Sequence, residues 1–180
     1  MIHFDPEGLS VADLLAIARQ DVPADFSAQA RQRIEVGHQL LVKLAAEGTP
    51  IYGVNTGLGA AVDTAVAPVQ ASIPLGRAVG VGRLANRQEL RAITAARLAG
   101  LAQGRSGISP GAADALLALL NSGVEPDVPL LGSLGESDLA PLAHLSLALS
   151  VPLTGKDGLA LVSANAASVG LGALLVAEAQ

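Results

Sequence analysis

Apolar residues recur at helical spacing in several stretches of the chain, and residues that start or stop helices bound each stretch. The pattern predicts helices over residues 9–20, 27–47, 87–104, 109–123, 139–150 and 159–180. Capping residues stand at the predicted starts: Ser10, Asn86, Ser109 and Asp138. Glycines stand at several predicted ends: Gly48, Gly104 and Gly123. The chain therefore reads as mainly α-helical.

Three irregular, glycine-bearing segments interrupt these helices, over residues 51–62, 76–82 and 127–138. Glycine between packed helices has a structural explanation, because it permits close crossings and tight turns. It also has a functional explanation, because binding and catalytic residues concentrate on loops that a rigid scaffold positions. Glycine content alone does not separate the two.

The composition sharpens the fold prediction. A chain of 180 residues suits one domain, and 51% of its residues are hydrophobic while only 2% are aromatic. Small apolar side chains favour closely packed helices. Charged residues make up 15%, too few to cover a free surface well. We therefore expect a single helical domain over residues 1–180 that buries much of its surface in an oligomer or against a missing part of itself.

Charge and residue types exclude several classes of function. The net charge of −5 argues against a nucleic-acid partner, and the absence of cysteine excludes disulfides and thiolate chemistry. His3 and His38 have no acidic neighbours at ligand spacing, so no metal site is expected. No signal peptide is visible, and the apolar runs 139–153 and 160–177 read as buried helices rather than membrane spans. These features favour a cytoplasmic protein without a membrane partner.

Six segments in order carry a resemblance to a known family. They are YGVNTGLG (52–59), GRAVGVG (76–82), RLAGLAQGRSGIS (97–109), LNSGVEPDVPLLGSLG (120–135), DLAPLAHLSLAL (138–149) and KDGLALVSAN (156–165). Together they resemble the N-terminal part of the histidine and aromatic amino-acid ammonia-lyases. The resemblance covers roughly residues 30–180.

The resemblance implies a mostly helical fold, a homotetramer, active sites built from several subunits, and a small amino-acid-like ligand. It also implies a longer chain, so residues 1–180 are expected to be an N-terminal fragment that lacks the family's long helical bundle. The family makes its own electrophile from an Ala-Ser-Gly tripeptide. The glycine amide attacks the alanine carbonyl, and dehydration gives a methylidene-imidazolone ring.

The ring-forming tripeptide is altered in this chain. The family pattern GSxGASGDLAPLAH appears here as GSLGESDLAPLAH, with one residue deleted and the glycine gone. The remnant is Glu136, Ser137 and Asp138, in which Ser137 matches the ring serine. Glycine permits the tight turn that brings its nitrogen onto the carbonyl, and Asp138 replaces it. We therefore predict that the ring is absent and that the chain has no cofactor.

Other site residues follow from the resemblance position by position. Tyr52 matches the tyrosine proposed as catalytic base, although a tyrosine packed on a glycine-rich loop is the structural alternative. Arg77 stands where the family commonly has a histidine, so it puts a permanent cation in place of a titratable group. Ser163 stands where the family has an asparagine that contacts the ring. His144 reads as a buried, hydrogen-bonded histidine rather than a catalytic one.

Two hypotheses from different classes remain. In the first, the chain is a lyase-family enzyme that acts on an amino acid or a related acid without the usual ring. In the second, it is a degenerate paralogue or fragment with a structural or partner-binding role. The intact YGVNTG and DLAPLAH segments favour the first for ancestry. The shortened tripeptide, Arg77 and Ser163 favour the second for present activity, and the isolated chain is predicted to be inactive.

Overall fold

The computed structural model describes residues 1–65 and 72–179, and its framework is a set of packed helices. The helices are α1 (Val11–Gln20), α2 (Ala28–Ala46), α3 (Ser72–Leu75), α4 (Arg87–Ala102), α5 (Pro110–Ser122), α6 (Leu139–Leu147), α7 (Asp157–Val162) and α8 (Ala166–Glu178). The four strands are β1 (Ile2–Phe4), β2 (Ala24–Phe26), β3 (Val81–Leu84) and β4 (Pro129–Leu131). The prediction of a mainly α-helical chain is confirmed.

The helix starts that the sequence predicted are largely correct because the caps are real. The Ser10 and Ser27 side chains accept hydrogen bonds from Asp13 N and Ala30 N at the starts of α1 and α2. Asn86 and Glu89 form a capping box at the start of α4. Ser109 caps α5 ahead of Pro110. Each cap satisfies an amide that the first helical turn leaves unpaired.

Helix α4 forms the centre of the domain. It packs against α1, α5 and α8, and ten of its residues are buried. The crossing with α8 depends on Gly170, because a Cβ added there would lie 2.7 Å from the carbonyl oxygen of Ala92. Only glycine allows the two backbones to approach this closely. Any larger residue at position 170 would push α8 away from the core.

Two pairs of strands were not predicted. Strands β1 and β2 pair in parallel, with Ile2 opposite Ala24 and Phe4 opposite Phe26. The Phe4 and Phe26 rings lie 5.9 Å apart between centroids, so they bury most of the chain's aromatic surface in one contact. Strands β3 and β4 pair antiparallel, from Val81–Leu131 to Leu84–Pro129. Each strand has only three or four residues, which is too short for a period-two pattern to be recognised.

The single helix predicted over residues 159–180 is wrong. Two helices, α7 and α8, occupy this stretch, and residues 163–165 between them are not helical. Ser163 and Asn165 flank the break, and both residue types have side chains that compete with the helical backbone for hydrogen bonds. Residue 180, the predicted end of that helix, lies outside the described residues. The predicted helix over 139–150 is also shorter, because α6 ends at Leu147.

Residues 157–178 are long and apolar enough to span a membrane by length and composition, and 44% of the apolar 18-residue stretch within them is buried in the structure. All six residues of α7 are buried, whereas α8 buries only Ala166, Ala167, Gly170 and Leu174. The expectation of a buried helix is therefore correct for α7. Helix α8 leaves Val169, Leu175 and Val176 more than half exposed.

Candidate functional site

The loop that carries Tyr52 is held by hydrogen bonds within itself. Asn55 Oδ1 accepts a hydrogen bond from Ile51 N at 2.7 Å, and its amide nitrogen donates to Thr49 O at 2.9 Å. The Tyr52 side chain is 45% exposed, and its hydroxyl oxygen accepts a hydrogen bond from Gly59 N at 3.1 Å. The phenol oxygen is therefore fixed on the surface, with a backbone donor aimed at it.

Lys156 lies against Tyr52 and was missed by the sequence analysis. Its ammonium nitrogen donates to the Tyr52 carbonyl oxygen at 2.6 Å and lies 5.7 Å from the centroid of the Tyr52 ring. Burial lowers the pKa of Lys156 below its usual value. Lys156 is the first residue of the segment KDGLALVSAN. A single cation at the start of an apolar segment was the feature of the sequence that could have indicated a role for it.

Arg77 follows the short helix α3. Its side chain is half-buried, and Nη1 donates to Ile73 O at 3.3 Å, so the guanidinium is held against its own segment. The structure thus places Arg77 close to α6 and α7, because α3 packs on both. The remaining guanidinium donors have no hydrogen bond to the residues that the structure describes.

His144 is hydrogen-bonded, as predicted. Its Nε2 accepts a hydrogen bond from Gly80 N at 3.1 Å, so this ring nitrogen carries no proton in the arrangement found. The side chain is half-buried rather than fully buried, and it packs closely on Gly80, where an added Cβ would lie 3.2 Å from the imidazole ring. His144 therefore links the segment after Arg77 to α6, and its role in this structure is structural.

The remnant of the tripeptide lies on a bend directly before α6. Glu136 is exposed and Ser137 is half-buried. Neither side chain makes a hydrogen bond to any residue within 1–65 or 72–179. Asp138, in contrast, is fully engaged. Its N–H donates to Ala164 O at 2.9 Å, and its carbonyl oxygen accepts from Leu142 N at 3.2 Å.

The Asp138 carboxylate binds the first turn of α8. Oδ2 accepts from Ser168 N at 2.7 Å and Oδ1 accepts from Ser168 Oγ at 2.8 Å. An anionic group is favoured at a helix N-terminus, where amides are unpaired and the helix dipole is positive. Asp138 therefore joins three elements: the start of α6, the break after α7, and the start of α8.

The prediction that Asp138 caps α6 is wrong. Asp138 stands at the N-cap position but its side chain makes no hydrogen bond to α6. Ser133 does this instead, because its Oγ accepts a hydrogen bond from Ala140 N at 3.0 Å. The sequence indicated Asp138 because it directly precedes α6. The sequence does not indicate that the start of α8 lies next to Asp138 in space.

Ser163 lies at the end of α7 and is exposed. The hydrogen bond from Asp138 N to Ala164 O brings the tripeptide remnant next to this turn. The Tyr52 loop approaches α7 from another side, since a Cβ added to Gly53 would lie 2.6 Å from Leu159 Cδ2. The structure thus gathers the Tyr52, Arg77 and tripeptide segments around α6 and α7.

The Asp157 carboxylate fixes α7 within this arrangement. The carboxylate is 1% exposed and accepts from Ser109 N at 2.7 Å, from Ser109 Oγ at 3.1 Å and from Thr154 N at 3.0 Å. These contacts join α7 to the start of α5 and satisfy a buried charge. Within the described ranges, no group of three or more His, Asp or Glu side chains could hold a metal ion.

Comparison with known proteins gives a consistent picture. The family described as aromatic amino acid lyase matches residues 9–150. A probable histidine ammonia-lyase of Halobacterium salinarum is 34% identical over 210 residues, which cover 99% of this chain and 40% of that protein. A histidine ammonia-lyase of Burkholderia vietnamiensis is 38% identical over 155 residues, covering 83% and 31%.

Solved structures give the same fold. The crystal structure of a tyrosine aminomutase from Streptomyces globisporus superimposes with a TM-score of 0.90 at 30% identity. The alignment covers 98% of this chain and 39% of that one. The chain therefore spans about two fifths or less of the length of these relatives.

Proposed function

Because this chain belongs to the aromatic amino acid lyase family, we propose that it carries the N-terminal part of an ammonia-lyase site in which the electrophile-forming segment has been altered. The parent reaction is elimination of ammonia from histidine or an aromatic amino acid. The chain itself forms no methylidene-imidazolone ring and does not catalyse this elimination.

The engagement of Asp138 is the observation that carries the proposal. Ring closure at Ser137 requires the Asp138 nitrogen to attack the carbonyl carbon of Glu136. That nitrogen donates its proton to Ala164 O, while the Asp138 carboxylate binds Ser168. Moving Asp138 into a ring would break at least three hydrogen bonds, each worth about 0.5–3 kcal/mol. The family's glycine at this position has no side chain, so ring closure there breaks no side-chain hydrogen bond.

Without the electrophile, the remaining side chains do not lower the activation barrier enough for the elimination. Enzymes of this kind must lower the barrier by at least ~8 kcal/mol, and a positioned general base supplies only ~10²–10⁴-fold in rate. Tyr52 is the base in this proposal, and the hydrogen bond from Gly59 N holds its hydroxyl oxygen in place. Base catalysis alone therefore leaves the elimination too slow to measure.

Arg77 and Ser163 are the substrate-binding residues in the proposal. Arg77 supplies a permanent cation that suits the carboxylate of an amino-acid-like ligand, and a guanidinium binds a carboxylate through paired N–H donors. Ser163 offers a hydroxyl on the same side of the molecule as the tripeptide remnant. The relatives include a probable histidine ammonia-lyase and a tyrosine aminomutase, so the proposed ligand is an amino acid of the histidine or tyrosine type.

A second candidate function is binding of a protein partner without catalysis. The observation in its favour is the number of exposed apolar side chains near the remnant: Val79, Val81, Leu131 and Leu134 are 61–104% exposed. Apolar surface of this kind is uncommon on a free monomer and marks interaction sites. A self-associated homo-oligomer, as in the family, is the partner we propose.

The test of the catalytic proposal follows absorbance of urocanate, cinnamate or coumarate with purified protein and histidine, phenylalanine or tyrosine. We expect no turnover above background. Turnover that is lost in Tyr52→Phe but kept in a control variant at an exposed position of α1, Val11→Thr, would contradict the proposal, because it would establish catalysis without the ring. Turnover that is equal in all variants would identify a contaminating enzyme.

A further inference from the structure

A wide groove lies between α2 and the turn over residues 103–107, away from the tripeptide remnant. Its volume is about 760 Å³, within the range of small-molecule sites. The floor is apolar and comes from Val36, Leu40, Leu41 and Leu44 of α2 together with Ile51. Leu40 is 55% exposed and Val36 is 56% exposed, so these side chains are open to a ligand.

The walls of the groove are preformed. A Cβ added to Gly37 would collide with the carbonyl oxygen of Gly104, and a Cβ on Gly104 would lie 2.5 Å from the backbone of Arg33. Gly104 also has a positive φ of 72°, which only glycine adopts without strain. His38 Nδ1 lies 3.2 Å from Gly107 O and fixes the turn further. A ligand would therefore not have to order the groove.

The rim of the groove is cationic in a protein that is acidic as a whole. Arg33, Arg105 and Lys156 line it, and no Asp or Glu is among its lining residues. The net charge of the chain is −5, so three cations with no carboxylate form a local exception. The Arg33 guanidinium lies 3.9 Å from Glu7, at the limit of an ion pair. Arg105 and Lys156 form no salt bridge with the described residues.

We propose that this groove binds a small carboxylic acid with an apolar alkyl or aryl body. The apolar body would lie on Leu40, Leu41 and Leu44, and the carboxylate would pair with the cations of the rim. Burial without a carboxylate partner disfavours the charged form of Lys156, so an anion in the groove would compensate that cost. The inference does not depend on the proposed loss of the ring, because the groove shares no residue with the tripeptide remnant, although its Lys156 also contacts the Tyr52 loop.

Calorimetric titration of the purified chain with hexanoate, octanoate and decanoate tests the proposal. We expect saturable binding with one site per chain that tightens about fourfold for each added methylene until the groove is full. Octanol and octyltrimethylammonium are the matched probes that lack the anion. Binding of octyltrimethylammonium as tight as that of octanoate would overturn the charge argument, and absence of saturable octanoate binding would overturn the proposal.

Variants on one helix locate the site. Leu40→Asp places a carboxylate on the groove floor and should weaken octanoate binding at least tenfold. Val42→Asp is the control, because Val42 is also exposed, at 52%, but does not line the groove. Arg105→Gln should reduce the preference for octanoate over octanol. Equal affinity of Leu40→Asp and Val42→Asp would contradict the assigned position.

The oligomeric state of the same variants separates a ligand site from an interface. If Leu40→Asp alone dissociates an oligomer and the parent chain does not bind octanoate, a second copy covers the groove and the proposal fails. If octanoate binds without a change in oligomeric state, the groove is a small-molecule site.

Discussion

The amide nitrogen of Asp138 donates a hydrogen bond to the carbonyl oxygen of Ala164 across 2.9 Å. This contact joins the start of α6 to the break between α7 and α8. Asp138 also binds Ser168 through both carboxylate oxygens, so its backbone and side chain are committed to the fold. The family makes an electrophile from this segment. In this chain Asp138 instead links α6, the break after α7 and the start of α8 through hydrogen bonds.

The first prediction concerns the stability that Asp138 provides. Asp138→Ala removes the carboxylate from the first turn of α8 and should lower the free energy of unfolding by about 1–2 kcal/mol. Glu136→Ala is the control, since Glu136 is exposed and makes no side-chain hydrogen bond to the described residues, and it should change stability by less than about 0.5 kcal/mol. Urea unfolding followed by circular dichroism measures both, and equal effects would contradict the assigned role.

A second prediction contrasts two buried arginines. Arg97 is 7% exposed, its Nη2 donates to Ala160 O, and its Nε has no partner among the described residues. Burial lowers the pKa of Arg97 to about 10. Arg97→Met removes a poorly satisfied buried charge but also leaves Ala160 O without its donor, so the two effects oppose each other and the free energy of unfolding at pH 7 should change by less than about 1 kcal/mol.

Arg91 provides the matched comparison. It donates to Ile17 O and to Leu120 O, both at 2.7 Å, and Nε lies 3.0 Å from Asp21 Oδ1. Arg91→Met strands both carbonyl oxygens and should cost about 3 kcal/mol. A larger loss in Arg97→Met than in Arg91→Met would contradict this account. Because the folded pKa of Arg97 is depressed, the parent chain should also gain stability as pH rises above about 10, and Arg97→Met should lack that gain.

How much the sequence could predict depends on the range of the interaction. The caps at Ser10, Asn86 and Ser109 were predictable because each bonds an amide three residues away. The role of Asp138 was not, because its partner Ser168 is thirty residues distant and α8 was expected to be continuous with α7. Lys156 was missed for the same reason, since its contact with Tyr52 spans more than a hundred residues.

The third prediction is a pH effect at the start of α4. The hydrogen bonds from Arg83 hold the pKa of Glu89 below its usual value of 4.5, and the Asn86 amide contributes. A depressed folded pKa means that this stability is present above about pH 4.5 and is lost as the pH falls through the folded value. Glu89→Gln should cost about 1 kcal/mol at pH 7 and flatten the acid side of the stability curve. Arg83→Met should flatten it partly, and an unchanged acid limb in both variants would contradict the assignment.

The fourth prediction concerns association. Val169 and Leu175 are 58% and 65% exposed on α8, and apolar surface of this kind favours self-association. We expect the chain to form dimers or larger assemblies, and Val169→Lys with Leu175→Lys to weaken them. Val11→Lys on α1, at an equally exposed position, is the control. Static light scattering that finds a monomer at high concentration in the parent chain would count against the prediction.

The central claim is that the segment Glu136–Ser137–Asp138 forms no ring, and peptide mass tests it most directly. Trypsin should release residues 106–156 as one peptide, because no Lys or Arg lies between Arg105 and Lys156. Ring formation with dehydration removes two water molecules. A variant with Glu136→Ala and a glycine inserted after Ser137 restores the family tripeptide and supplies the comparison. We predict the full, unmodified mass for the parent peptide, and a parent peptide lighter by two water molecules would contradict the account.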